Sequence, residues 1–218
     1  MKKAFTLAEV LITLGIIGVV AALTMLSLIN NIKRKELKTG FAKQYSVLQQ
    51  VLKRMEYDRG MPVLSTDFGQ NLTYKAFMEY FSGAKDCGVA ECVPAGSNCG
   101  YYLYSGESMS GNLFNEGQFI AADGAMYMFD DNNYSGIDDY ETWITVDVNG
   151  YKKKPNRWGY DTFTFVFTKT GQIFLGGAPE TVYKDVNIYC SVSSSDNHNG
   201  SACAYYAWTD EDYWKNLP

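Results

Sequence analysis

The first regularity along the chain is a run without charge. No side chain from Val10 to Ile32 is charged, and as an α-helix these 23 residues rise about 35 Å, enough to cross the hydrocarbon core of a bilayer. Helical patterning then continues. Leu37, Phe41, Tyr45, Leu48, Leu52 and Met55 recur at spacings of four, four, three, four and three, which places them on one stripe. The pattern predicts a single helix from about Phe5 to about Tyr57, apolar all round in its first half and amphipathic in its second, which lies against a globular domain. Residues 59–116 are mixed. Gly60, Pro62, Ser65 and Gly69 punctuate their start, Tyr74–Phe81 predicts a short helix, and the Gly-, Ser-, Asn- and Pro-rich stretch Cys87–Tyr101 reads as a loop.

From Gly117 the period changes to two. Phe119–Ala121 and Met126–Phe129 flank Asp123-Gly124, a hairpin turn signal. Trp143–Val148 alternates and ends at Asn149-Gly150. Thr162–Thr168 (TFTFVFT) is the clearest strand, and Gly171 turns it into Gln172–Leu175. These elements predict an antiparallel meander over residues 117–177, one face packed on the amphipathic half of the helix. Residues 178–218 read as an irregular, aromatic tail in which Trp208 and Trp214 close over the sheet. The fold class is α+β, with the helix divided into residues 5–32, spanning the membrane, and 33–58, continuing as an amphipathic segment.

Composition narrows the chemistry. The chain of 218 residues is 46% hydrophobic, so it is not disordered by composition, and its length suffices for one cored domain plus an anchor. A net charge of −5 disfavours broad phosphate-backbone binding. A single histidine, His198, excludes any mechanism needing two, and it sits in a loop-like Asp196–Gly200 stretch that favours a surface role. There is no GxSxG, no HExxH and no phosphate-cradling glycine loop, so the expectation is a non-enzyme without a cofactor.

The N-terminal run carries a charge just before its start. An ordinary secretory signal would be cleaved near Val20-Ala21-Ala22 and has no use for Glu9, which costs at least a few kcal/mol in lipid. Such a carboxylate needs a partner, and an isolated helix is expected to offer it none. Lys2 and Lys3 precede the run while Lys33, Arg34, Lys35 and Lys38 follow it, so charge alone leaves orientation open. The short leading flank argues for a cytoplasmic N-terminus and an exported bulk.

The segment Lys2-Lys3-Ala4-Phe5-Thr6-Leu7-Ala8-Glu9-Val10-Leu11-Ile12 resembles the cleavage and methylation signal of type IV pilins and type II secretion pseudopilins. The resemblance covers about the first thirty residues. It implies a leader of residues 1–4, cleavage between Ala4 and Phe5 by a prepilin peptidase, and methylation of the new Phe5 amine by the same peptidase/methyltransferase. It further implies a pilin-like fold with a helical stem and an α+β head. Glu9 would pair with the Phe5 amine of a neighbouring subunit during polymerisation, and Gly15 and Gly18 would let neighbouring helices approach. The implied partners are other pilin or pseudopilin subunits, an inner-membrane assembly platform and membrane lipid. The implied location is a single-pass inner-membrane protein before assembly and a periplasmic or cell-surface filament after it. Two departures stand out: Ala4 replaces the usual glycine, and Leu26 stands where many members carry a kinking proline. Alternatives are a monomeric membrane-tethered binding module, or a competence-type pilin that binds DNA.

Export makes disulfides plausible. Cys190 and Cys203 would close a short loop, worth roughly 3 kcal/mol by chain entropy, and two of Cys87, Cys92 and Cys99 can pair, leaving one thiol over. Asp131, Asn133, Ser135 and Glu141 lie in an oxygen-rich stretch that partly matches a calcium loop, Glu141 falling one place short, so a structural calcium is a candidate there against a plain acidic turn. The run Asp147–Gly150 and Pro155–Asp161 resembles a loop recurring in pilin-like proteins, with Asp147 and Asp161 bracing its ends. Within it Lys152, Lys153, Lys154 and Arg157 sit beside Tyr151, Trp158 and Tyr160, a composition suited to single-stranded DNA, although a solvated basic turn is the commoner arrangement.

Overall fold

A computed structural model describes residues 6–132 and 141–218, the side chains of Leu26 and Asn132 excepted. Helix α1 runs from Leu7 to Arg59 without interruption, 53 residues, within two of the expected limits at either end. The chain divides into two units between Glu36 and Leu37, so α1 contributes to both.

In the second unit the predicted stripe is the buried one. Leu37, Phe41, Leu48, Leu52 and Met55 are all nearly inaccessible, and Tyr45 is half-buried. They meet an antiparallel meander of six strands in chain order: β1 (Lys85–Asp86), β2 (Gln118–Ile120), β3 (Met126–Asn132), β4 (Glu141–Asp147), β5 (Thr162–Thr168) and β6 (Ile173–Leu175). Because side chains alternate across a strand, Phe163, Phe165 and Phe167 of β5 share one face with their cross-strand partners Val146, Ile144 and Thr142. That face takes the helix: the ring of Phe41 lies 4.7 Å from Phe163 and 5.9 Å from Phe165, and Tyr45 stacks on Phe165 at 5.7 Å. Polar side chains fix the docking. Gln49 donates to the carbonyl of Ile173 at 2.7 Å, while Lys43 and Gln44 reach Asp123 in the β2–β3 turn at 2.6 and 3.0 Å. Gln44 also accepts from the Tyr127 hydroxyl. Gly40 lets the helix approach the end of β4, its missing Cβ site only 3.4 Å from Val148.

The opposite face is covered as well. The loop region 87–114 folds over it, so that Val93, Tyr101, Leu103, Met109 and Phe114 form a second apolar cluster with Met126, Met128, Trp143, Trp158 and Val166. The alternation of TFTFVFT therefore does not mark an exposed polar face. Thr162, Thr164 and Thr168 are buried, and the hydroxyls of Thr145 and Thr164 satisfy each other at 2.9 Å.

Three details differ from the sequence reading. Strand β1 was not anticipated, since two exposed residues carry no periodicity. The helix expected over 74–81 is α2 (Thr73–Met78), with Phe77 buried against Phe129 and Phe167. The tail is not irregular throughout. It contains α3 (Val186–Tyr189) and α4 (Cys203–Thr209), the latter burying Cys203, Ala204 and Ala207, three- and four-residue steps that place small side chains on one helix face. Trp214 closes over the sheet at 5.5 Å from Phe163, whereas Trp208 stays 54% exposed and meets Phe41 and Tyr45 only edge-on.

Truncation of Phe41 removes a buried ring shared by Phe163, Phe165 and Trp214. Phe41→Ala should lower unfolding stability by about 3–5 kcal/mol in denaturant titration of the full chain, whereas Tyr57→Ala, on the exposed face of the same helix, should change it by under about 0.5 kcal/mol.

Candidate functional site: the uncovered half of α1 and the loops of the head

The first half of α1 is long and apolar enough to cross a membrane, and none of it is buried within the chain. Its large side chains, from Leu7 through Leu11, Ile12, Ile16, Ile17 and Val20 to Ile32, are 42–79% exposed, and nothing lies within 4 Å of the missing Cβ of Gly15 or Gly18. Those two glycines, three residues apart, leave a stretch of backbone open to close approach.

Glu9 does have a partner within its own helix, contrary to the expectation of an unmatched carboxylate. Its Oε2 accepts from the backbone N–H and from the hydroxyl of Thr6, both at 2.8 Å, and the Glu9 N–H points back to Thr6 Oγ1 at 3.3 Å. This reciprocal arrangement caps the first turn, and Thr-x-x-Glu is its sequence signature. Thr6 is thus a site residue that the sequence reading quoted but gave no role. The cap supplies hydrogen bonds but no counter-charge. Ala4 and Phe5 lie outside the described residues. Helix α1 passes through Leu26 as continuous helix.

Two disulfides are present, Cys87–Cys92 and Cys190–Cys203. Cys99 is the thiol left over, buried with Sγ 3.3 Å from the carbonyl of Met109, and burial pushes its pKa up. Of the calcium candidates, Asn133 and Ser135 lie outside the described residues. Asp131 is engaged, accepting from the Thr142 hydroxyl at 3.0 Å and the Asn71 N–H at 3.2 Å, and Glu141 opens β4 as a nearly buried residue. Among the described residues no group of three or more His, Cys, Asp or Glu side chains is placed to hold a metal.

The basic, aromatic loop is divided by the fold. Lys152, Lys153 and Lys154 are exposed, but Trp158 is fully buried, and the Arg157 guanidinium donates to the carbonyl of Tyr104 at 3.2 and 2.5 Å. The arrangement offers lysines without the tryptophan face that base stacking requires. Asp147 and Asp161 do brace the loop, both with no exposed surface. Asp147 accepts from the N–H groups of Asn149 and Gly150 and from the Tyr101 hydroxyl; Asp161 accepts from the N–H groups of Asn156 and Arg157. Burial, and next the charge of Asp161, push Asp147 up to about 7. His198 is half-buried, its ring 4.7 Å from Tyr183 and 5.8 Å from Trp143, and so serves packing rather than a purely solvated surface.

Compared with protein-family models, curated proteins and solved structures, the chain matches none.

A second set of buried acids lies toward the C-terminal end of β3. Burial, followed by the charges of Glu116 and Asp131, raises Asp130 to about 7. The native state therefore holds the Asp130 proton more tightly than the unfolded chain, whose value is near 3.8, and stability falls as pH rises through this window. Between about pH 6 and about pH 8 this single group should cost about 1.4 kcal/mol, and Asp130→Asn should remove that part of the pH dependence in thermal unfolding while leaving the contribution of Asp147.

Proposed function

We propose that this chain is a pilin or pseudopilin, a structural subunit that polymerises through the first half of α1. The observation that carries the reading is an apolar helical surface left uncovered by its own chain, opening with one carboxylate and interrupted by Gly15 and Gly18. The Lys2–Ile12 signal supports it. In this reading the chain is held in the inner membrane by α1, with the head of residues 37–218 outside. It is cut between Ala4 and Phe5, methylated on Phe5 and lifted into a filament. The chain is then not an enzyme, and its partners are like subunits, the processing peptidase and the assembly platform.

Thr6 gives the process an order. Before assembly the Glu9 carboxylate is held by the Thr6 hydroxyl and amide. These donors supply no positive charge, so the Phe5 amine of an adjoining subunit is a better partner in a low-dielectric surrounding. Exchange of one for the other sets the axial register at each addition.

Removing one member of such a pair leaves the other unmatched, a loss of about 3–5 kcal/mol or roughly 10²–10⁴-fold in subunit affinity. Filaments sheared from cells should therefore contain the wild-type chain with Phe5 as its N-terminal residue, and Glu9→Ala should leave the chain in the membrane fraction with both disulfides formed but absent from filaments. A mature N-terminus near Ala22, or full filament incorporation of Glu9→Ala, would overturn the proposal. A tethered monomeric receptor would show neither filament recovery nor sensitivity to the substitution.

A further inference from the structure

The tail closes against Tyr104 around a cleft of about 210 Å³. Its walls include three tyrosines, Tyr104, Tyr206 and Tyr213, and the one charged residue lining it is Asp210. The volume falls below the roughly 300–1,000 Å³ of sites for drug-sized molecules, so an occupant has to be small.

Helix α4 holds two of these groups together. Asp210 closes the helix, its N–H donating to the carbonyl of Tyr206 at 2.9 Å. The four-residue step keeps the carboxylate on the side of the Tyr206 ring, and both line the cleft. The Tyr213 hydroxyl donates to the carbonyl of Gly159 at 2.7 Å, so Tyr213 offers the cleft its ring rather than its hydroxyl. Asn216 donates its side-chain nitrogen to the carbonyl of Asp212 at 3.2 Å, which leaves its amide oxygen for the cleft.

The charge around the cleft is one-sided. A carboxylate at a helix C-terminus meets the negative end of the helix dipole, an arrangement that costs stability unless a cation answers it. Among the described residues Asp210 has no ion-pair partner; its Oδ1 accepts the Asp212 N–H at 2.8 Å and its second oxygen accepts nothing. Asp185 adds a second negative charge, the next cause after burial that raises the Tyr206 phenol above its ordinary value. Cations of the adjoining segments are committed elsewhere. Lys215 pairs with Asp212 at 2.5 Å, Lys184 donates to the carbonyl of Pro179 at 3.2 Å, and Arg157 holds the carbonyl of Tyr104.

We propose that this cleft binds the head of a small organic cation, an alkylammonium of the size of choline, among the rings of Tyr104, Tyr206 and Tyr213 with Asp210 as its counter-charge. Aromatic rings attract cations through their negative faces, and a desolvated contact of this kind contributes about 2 kcal/mol. A metal ion is disfavoured, because one carboxylate and one amide fall short of the roughly six to eight oxygens that Ca²⁺ takes. An anion would meet Asp210 and Asp185. The inference does not rest on the filament reading, since every residue of the cleft lies in the head.

The full-length chain, in micelles of a maltoside detergent that carries no ammonium group, is dialysed to equilibrium against radiolabelled choline. The expected result is saturable binding that tetramethylammonium displaces, and that the neutral carbon isostere of choline displaces at least about tenfold more weakly. Asp210→Asn keeps an acceptor for the Asp212 N–H, and Tyr206→Leu removes a ring; each should weaken choline about tenfold, whereas Tyr206→Phe should bind as the wild type does. Asp210 is exposed, so Asp210→Asn carries the test if Tyr206→Leu disturbs folding as judged by near-ultraviolet circular dichroism. Glycerophosphocholine separates the sources: displacement admits a phosphodiester-linked headgroup, failure to displace confines the ligand to the free cation, and either result upholds the cationic head. Absence of saturable binding to the folded wild type overturns the proposal. So does equal displacement by the neutral isostere, or a Tyr206→Phe chain that binds as weakly as Tyr206→Leu.

Discussion

The row of phenylalanines on β5, pressed against Phe41 and Tyr45 of α1, is the contact on which the head depends. Phe163, Phe165 and Phe167 occupy alternate positions of one central strand, so a register shift by a single residue would exchange them for Thr162, Thr164 and Val166, or for Thr164, Val166 and Thr168, and remove the surface that the helix needs. The threonines in turn are tolerable inside only because the opposite face supplies hydroxyl partners and apolar cover from residues 87–114. Helix, sheet and covering loop are therefore mutually required. The first half of α1 takes no part in this arrangement, and its sequence differs accordingly: apolar on all sides, with no stripe to distinguish an inner from an outer face.

How far the sequence disclosed this depended on whether a residue's role was local. Helix α1 was legible from end to end because its periodicity extends over many turns, and β3 to β6 were legible because turn residues such as Asp123-Gly124, Asn149-Gly150 and Gly171 separate alternating runs. The second cluster was not legible. Tyr101, Met109 and Phe114 come from a stretch rich in glycine and serine, and only long-range packing gathers them over Met128 and Trp143. Helix α4 was hidden for a related reason: its buried face is made of Cys203, Ala204 and Ala207, too small to register as a hydrophobic stripe. At the candidate site the carboxylate of Glu9 stood out at once, whereas the reciprocal Thr6 cap needed the helix start to be placed. In the basic loop, composition alone does not tell that Trp158 is buried and that the Arg157 guanidinium is bound to a carbonyl.

The distribution of acidic groups gives the head a character that a net charge of −5 does not convey. Asp130, Asp131, Asp147 and Asp161 are all buried, and burial is the first cause raising each of their proton affinities. They fall toward strand ends, Asp130 and Asp131 late in β3, Asp147 at the close of β4 and Asp161 just before β5, while Phe129, Ile144 and Val146 fill the core. Main-chain N–H groups from turns satisfy much of their demand, which ties turn geometry to charge. A turn that relaxes loses the donors, and a buried carboxylate without donors destabilises its surroundings further. The turns around Asn149 and Asn156 are tied to the carboxylates of Asp147 and Asp161 in this way.

The β4–β5 loop shows what such ties achieve. Its Tyr102–Arg157 pairing and the carbonyl of Tyr104 on the Arg157 guanidinium attach residues 100–104 to it, while the Tyr213 hydroxyl donates to the Gly159 carbonyl at 2.7 Å and attaches the tail. Trp158 stands between, so close that a Cβ on Gly200 would lie 2.2 Å from its own Cβ, and Gly159 comes within similar reach of Tyr104 and of Cys203 Sγ. The Cys190–Cys203 disulfide is thereby packed against the same loop that Asp147 and Asp161 brace. A connection that joins adjacent antiparallel strands needs only two residues; this one spends far more and places them at the meeting point of the covering region, the tail and the sheet. The loop is best understood as the joint that holds three otherwise irregular segments in one position. The two carboxylates at its ends lie where any loss of order would be transmitted to all three.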